Sequence, residues 1–247
     1  MGWLSRFLKS NLGMKAIMAL SGFVLVGFVV VHMLGNLQLF LGPGSETVVI
    51  DGKTYTQGAL DHYGAMLQGN KEVLWLARIV LIVSVLAHIG SAVVLTMRSK
   101  RARPVAYKVH KRVSDSYSAR TMRWGGVIVL AFIVFHILHL TTGTVHPDFQ
   151  HCADVDGDLA CVVYSNVIQG FEGNWPIVIF YVVSQIAIAM HLTHGVWSMF
   201  RTLGMNSPRA DAIARKAALS IGVVVGFFNC LIPIAVAVGL VTSDGLL

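Results

Sequence analysis

The chain has 247 residues, 55% of them apolar and only 13% charged, with a mean hydropathy of +0.69. That balance excludes an ordinary soluble domain and points to an integral membrane protein. The formal charge of +7 is not a nucleic-acid signal, because no basic module interleaved with aromatic residues accompanies it.

Five segments with few or no charges are long enough to span as helices: residues 16–41, 73–97, 124–145, 175–200 and 217–243. Lipid forces backbone polar groups to pair within a segment, so the expected fold is an all-α membrane protein with five transmembrane helices. Residues 1–247 read as one transmembrane domain, with no linker or internal repeat. The first segment follows Arg6, Lys9 and Lys15 as a secretory signal would. Its apolar run is too long for a signal core, and it ends in NLQLFLGPG without a small-x-small cleavage pattern, so it reads as a retained helix.

In chain order, the first segment carries Ser21, Gly22, Gly27 and Gly35, small residues that let a helix or flat ligand approach the backbone. Its only ionisable residue is His32. The polar connection that follows includes GALDHYGAMLQG, expected as a short interfacial helix. The second segment has Arg78 near its start and His88 within it; the third carries His136 and His139. The fourth opens with Pro176 in its first turn, where a missing N–H is tolerated, and carries His191 and His194. The fifth has no histidine, and Pro233 is expected to kink it.

Sixteen of the nineteen Lys and Arg residues fall on one side: three before the first segment, nine from Arg98 to Arg123, and four from Arg201 to Lys216. The positive-inside rule makes that side cytoplasmic, with the N-terminus inside, the C-terminus outside, and a bacterial cytoplasmic membrane as the expected location. Most carboxylates fall on the outer side, from Glu46 to Asp61 and from Asp148 to Glu172. The basic face suits anionic lipid headgroups or an acidic partner protein. Cys152 and Cys161 share an outer loop, where a disulfide and two free thiols are both open, and Cys230 lies in the last segment. DVDGD between them is no calcium loop: its glycine is fourth rather than sixth, and Ser165 stands in the place of the twelfth-position glutamate.

Histidines inside spanning segments are costly and need a reason. His88 and His191 each lie ten residues before the arginine that ends their segment, roughly 15 Å of helix rise from the cytoplasmic side. His32 and His136 are each ten residues before an outer loop. One histidine from each of four helices, matched at two depths, suits two stacked bis-histidine b-type haems, with His32 paired to His136 and His88 to His191. Helices one to four are therefore expected to bundle around two haems. Bonding between helices, or lining a proton path, is the bland alternative for each histidine. Spacing alone does not separate His136 from His139, or His191 from His194, since each pair shares a helix face. The latter member of each pair could instead serve haem propionates or a quinone.

At these residues the chain resembles the diheme cytochrome b subunit of succinate dehydrogenases and fumarate reductases, the kind whose membrane anchor is one five-helix polypeptide. The resemblance runs through SGFVLVGFVVVHMLGN, LAHIGSAVVLTM, RTMRWGGVIVLAFIVFH and HLTHGVWSMFRTLG. No single motif is highly specific, but their order, spacing and charge asymmetry together are. The resemblance favours His32, His88, His136 and His191 as axial ligands, from the Arg123 and Gly126 pattern before the third and the Gly195 and Trp197 pattern after the fourth. Ala189 stands where some fumarate-reducing relatives carry a proton-conducting glutamate, which puts that path in doubt here.

The resemblance implies electron transfer between a cytoplasmic iron–sulfur subunit and a membrane quinone, menaquinone or ubiquinone. Dicarboxylate and flavin chemistry would belong to partner subunits, the flavoprotein among them, since the chain has no dinucleotide fingerprint. It is expected to supply no catalytic residue for that chemistry. Quinone candidates are Gln38, Glu46, His62 and Tyr63 at the outer end, and Ser21, His110 and Arg123 at the inner end. Carrying electrons through two haems favours the outer site. The rival readings are a diheme cytochrome b of a hydrogenase or formate dehydrogenase and, from another class, a transporter or proton channel.

Overall fold

A computed structural model describes residues 2–102, 117–146 and 148–246. Residues 103–116, with His110 and most of the basic connection expected to dock a partner, lie outside the described residues.

Five helices among the described residues are long and apolar enough to cross a membrane. After a short helix α1 (Trp3–Lys9), the first is α2 (Asn11–Asn36), which tightens into a 3₁₀ turn at Leu37–Leu41. It begins earlier than its apolar run because the Ser10 hydroxyl accepts from the Gly13 N–H. Next come α3 (Ala59–Gly69), α4 (Lys71–Arg101), capped by the Asn70 side chain, and α5 (Tyr117–His136), which ends in a π turn at Ile137–Thr141. α6 (Val163–Phe171) precedes α7 (Trp175–Thr202) and α8 (Pro208–Ala237).

α8 departs most from its expected bounds of 217–243. It starts nine residues earlier, where the Ser207 side chain caps it and Pro208 fits the first turn. It stops at Ala237, two residues before Gly239, whose φ of 75° allows Gly239 N–H to reach Val236 O and Leu240 N–H to reach Ala235 O. Those two bonds are a Schellman motif, and hydropathy cannot see it. A two-residue hairpin, Val241–Thr242 with Gly245–Leu246, follows.

α7 sits at the centre of the helix packing, against α2, α5 and α8, while α4 packs on α2. The α7–α8 contact is close because Gly222 and Gly226 face α7: a Cβ on Gly226 would lie 2.7 Å from the Ala189 Cβ, and one on Gly222 would strike Thr193 Oγ1. Large apolar side chains stay exposed along the outer faces, Trp75, Ile79, Val83 and Leu86 on α4 among them. That suits lipid and not water.

One end of these helices gathers arginines. Arg98 donates to Asn11 Oδ1 and Lys9 O at 2.8 Å each, tying α4 to the start of α2. Asp211 accepts from Trp197 Nε1 and Arg215 Nε at 2.8 Å each, closing the α7–α8 corner. The opposite end carries a folded cap of two antiparallel hairpins, β1 (Glu46–Ile50) with β2 (Lys53–Gln57) and β3 (Ala153–Val155) with β4 (Asp158–Ala160). DVDGD forms the second turn, with Asp156 and Gly157 at φ 55° and 93° as a two-residue hairpin requires. Cys152 and Cys161 form a disulfide beside it. Val48 and Ile50 bury against Ala160 and Val162, joining the hairpins.

The expected interfacial helix is α3, and Asp61 locks it in place. This fully buried carboxylate accepts from Gly58 N–H and Tyr164 N–H at 2.9 Å each, pinning α3 to the start of α6. Burial pushes its carboxyl above the ordinary aspartate range, against the opposing pull of those backbone bonds.

Candidate functional site: two intramembrane imidazole pairs

The four depth-matched histidines come from four different helices and meet in twos. The His32 ring on α2 lies 5.8 Å from the His136 ring on α5, centroid to centroid, at an interplanar angle of 89°. The His88 ring on α4 lies 6.2 Å from the His191 ring on α7, at 57°. Neither α2 with α5 nor α4 with α7 is among the extensively packed helix pairs. Imidazoles, rather than backbone, bridge those gaps.

The two pairs stand at separate levels, and three helices measure the distance. On α2, Gly22 lies against His88, ten residues before His32; on α5, Gly126 lies against His191, ten residues before His136. On α7, Tyr181 contacts His136 ten residues before His191. Ten residues of helix rise about 15 Å, so all three give the same separation.

Each imidazole pair could hold one metal ion or haem iron. Among the described residues no three His, Cys, Asp or Glu side chains form a metal cluster, but a bis-imidazole centre takes only two from the protein. His88 Nδ1 lies 3.1 Å from Met18 O and 3.4 Å from Ser21 Oγ. A proton on that nitrogen, donated to the carbonyl, leaves Nε2 as a free lone pair, the usual state of a ligating imidazole. His191 Nδ1 is buried with no hydrogen-bond partner. Gly22 makes room for the His88 ring: a Cβ there would lie 3.2 Å from its Cε1.

His139 and His194 belong to neither ring pair. His139 is fully buried in the π turn, its Nδ1 2.8 Å from the Tyr181 hydroxyl, among Phe135, Phe149, Phe171 and His146. His194 lies toward the arginine-rich end, 5.8 Å from the Trp197 ring, over which the Arg215 guanidinium stacks at 4.1 Å.

Of the quinone candidates at the capped end, His62 Nε2 and Glu46 Oε2 meet at 3.6 Å on the surface, and the Tyr63 ring packs against Gly35. Gln38 sits in the 3₁₀ turn. At the other end Ser21 belongs to the His88 surroundings and donates to Ile17 O, Arg123 is exposed, and His110 lies outside the described residues. The two candidate groups are therefore far apart.

Tyr181 was not singled out by the sequence. Its hydroxyl lies 3.3 Å from His136 Nδ1 as well as 2.8 Å from His139 Nδ1. The counting that matched the histidines also finds it, since it lies ten residues before His191 on the same helix. No protein-family model, curated protein or solved structure matches the chain.

Proposed function

We propose that the chain is the membrane-anchor cytochrome b subunit of a succinate:quinone oxidoreductase, exchanging electrons between a cytoplasmic iron–sulfur subunit and membrane quinone. The observation that carries this reading is that two imidazole pairs, 5.8 Å and 6.2 Å between centroids, lie at two levels on four helices. His32 and His136 would hold the outer haem, and His88 and His191 the inner one. Bis-histidine haem supplies reversible one-electron transfer with no open coordination position.

The protein's own contribution is orientation. Met18 O accepts from His88 Nδ1 and fixes the ring about its Cβ–Cγ bond, while Gly22 keeps that side clear. The arginine-rich end would face the cytoplasm and receive the iron–sulfur subunit, with the flavoprotein subunit beyond it. The capped end would then face outward, beside the favoured quinone site near Glu46, His62 and Tyr63. The order of motifs along the chain adds to this reading.

A reduced-minus-oxidised absorption spectrum of the purified protein tests it, with two b-type haems per chain expected. His88→Ala or His191→Ala should remove one, and His32→Ala or His136→Ala the other. Reduction by succinate through the partner subunits separates this reading from a hydrogenase or formate dehydrogenase cytochrome. The hydrogen-bonded His139 and Tyr181 favour a proton channel as the second reading, which requires a colourless protein.

A further inference from the structure

Tyr181 presents one hydroxyl to two imidazoles, at 3.3 Å from His136 Nδ1 and 2.8 Å from His139 Nδ1. A phenol has one proton, so it can donate to only one of them and must accept from the other or lose that bond. Which way it points follows from His136. If Nε2 of His136 offers its lone pair toward the space shared with His32, the ring's single proton sits on Nδ1. That N–H then donates to the Tyr181 oxygen, and the Tyr181 O–H donates to His139 Nδ1. The shorter of the two contacts is the one assigned to the hydroxyl proton. His139 must then carry its proton on Nε2, which is buried beside Gly170 and makes no hydrogen bond.

We propose that Tyr181 is the positioning residue of the outer centre, accepting from His136 and fixing its tautomer, and that buried His139 orients the Tyr181 hydroxyl. The inference rests on the reading of His136 as an axial ligand and deepens it. The surroundings leave the hydroxyl little else to do. The Tyr181 ring is held edge-on by Phe132, Phe135 and Phe171 at centroid distances of 5.1, 6.1 and 4.8 Å, and the His139 ring is stacked against Phe135. The His139 backbone lies in a π turn, the kind of local irregularity that re-aims a side chain.

The consequence is an asymmetry between the two centres. His88 donates to a main-chain carbonyl, which no substitution at position 18 removes, whereas His136 donates to a side chain. An N–H acceptor makes the imidazole a stronger donor to the metal and favours the oxidised iron. Losing the Tyr181 oxygen should therefore raise the midpoint potential of the outer haem alone. It should also weaken that haem's retention by about 10- to 100-fold, the usual effect of removing such a partner.

The test is a potentiometric titration of the purified holoprotein as wild type, Tyr181→Phe, His139→Leu and His139→Asn, with haem content measured alongside. Tyr181→Phe keeps the ring that packs the core and removes only the hydroxyl. One of the two potentials should rise in Tyr181→Phe and, by less, in His139→Leu. His139→Asn, whose amide can stand in for Nδ1, should restore the wild-type value. If Tyr181→Phe loses the outer haem altogether, a rise in His139→Leu with rescue by His139→Asn still supports the proposal. Two haems with both potentials unchanged in Tyr181→Phe, or a shift in the inner centre, would overturn it. A wild-type protein with no haem would instead remove the reading on which it rests.

Discussion

Gly22 lies so close to His88 that a Cβ built on it would stand 3.2 Å from the imidazole Cε1. α2 and α4 touch at this point through a glycine on one side and a ring on the other. At Gly27, nothing lies within 4 Å of the same construction. Substitution at position 22 should therefore act on the His88 ring, and at position 27 should not. Gly22→Ala asks the ring to yield by a few tenths of an ångström, and Gly22→Leu occupies its place. We expect Gly22→Leu to halve the haem-to-protein ratio by losing the inner centre, with Gly27→Ala as the neutral control. Unchanged haem content in Gly22→Leu would contradict the assignment of His88.

The cap should be sensitive to Asp61. Asp61→Ala leaves the Gly58 and Tyr164 N–H groups without their acceptor, and each buried orphan costs about 1–3 kcal/mol. The pH dependence follows from the direction of the shift. The folded carboxyl titrates above the ordinary aspartate range, mainly through burial, so the folded cap holds its proton more tightly than the unfolded chain. The contribution of Asp61 is thus fullest below that range and is lost as pH rises through the folded value. The difference in melting temperature between wild type and Asp61→Asn, followed with pH, should move against the wild type as pH increases across that window. An opposite slope would mean the backbone bonds outweigh burial.

Orientation can be read from the disulfide. The Cys152–Cys161 bond closes a short loop in the cap and requires an oxidising compartment, whereas Cys230 is a half-buried thiol in α8. In sealed right-side-out vesicles, a membrane-impermeant thiol reagent should label Cys152 and Cys161 after reduction, and label neither before it. Labelling only in inverted vesicles would place the cap in the cytoplasm and reverse the proposed topology.

The side of the quinone is open to a functional test. With the quinone at the capped end and succinate oxidised at the other, charge crosses the membrane during turnover, at about 2.3 kcal/mol per charge per 100 mV for a full crossing. Succinate–quinone activity in sealed vesicles should then change on adding an uncoupler, and Glu46→Gln should impair it while His110→Ala does not. Activity indifferent to the potential, together with impairment by His110→Ala alone, would move the quinone to the arginine-rich end.

The five apolar helices were legible from hydropathy, because a spanning segment must be long, uncharged and closed on its own hydrogen bonds. The depth matching of His32 with His136 and of His88 with His191 was legible too, since a helix rises by a constant amount per residue. What lay beyond counting was which faces meet. The choice of His136 and His191 over His139 and His194 had no basis in spacing; in the structure His136 and His191 lie beside the histidines of other spanning helices, while His139 lies beside His146 and Tyr181 and His194 beside Trp197. Asp61 read as one more outer carboxylate, yet it is fully buried, because its acceptors are satisfied by the starts of two helices over a hundred residues apart. Composition along one chain sets what each helix can bury. Only the packing of α7 against α2, α5 and α8 sets which side chains share a space, because that depends on contacts between segments remote in sequence.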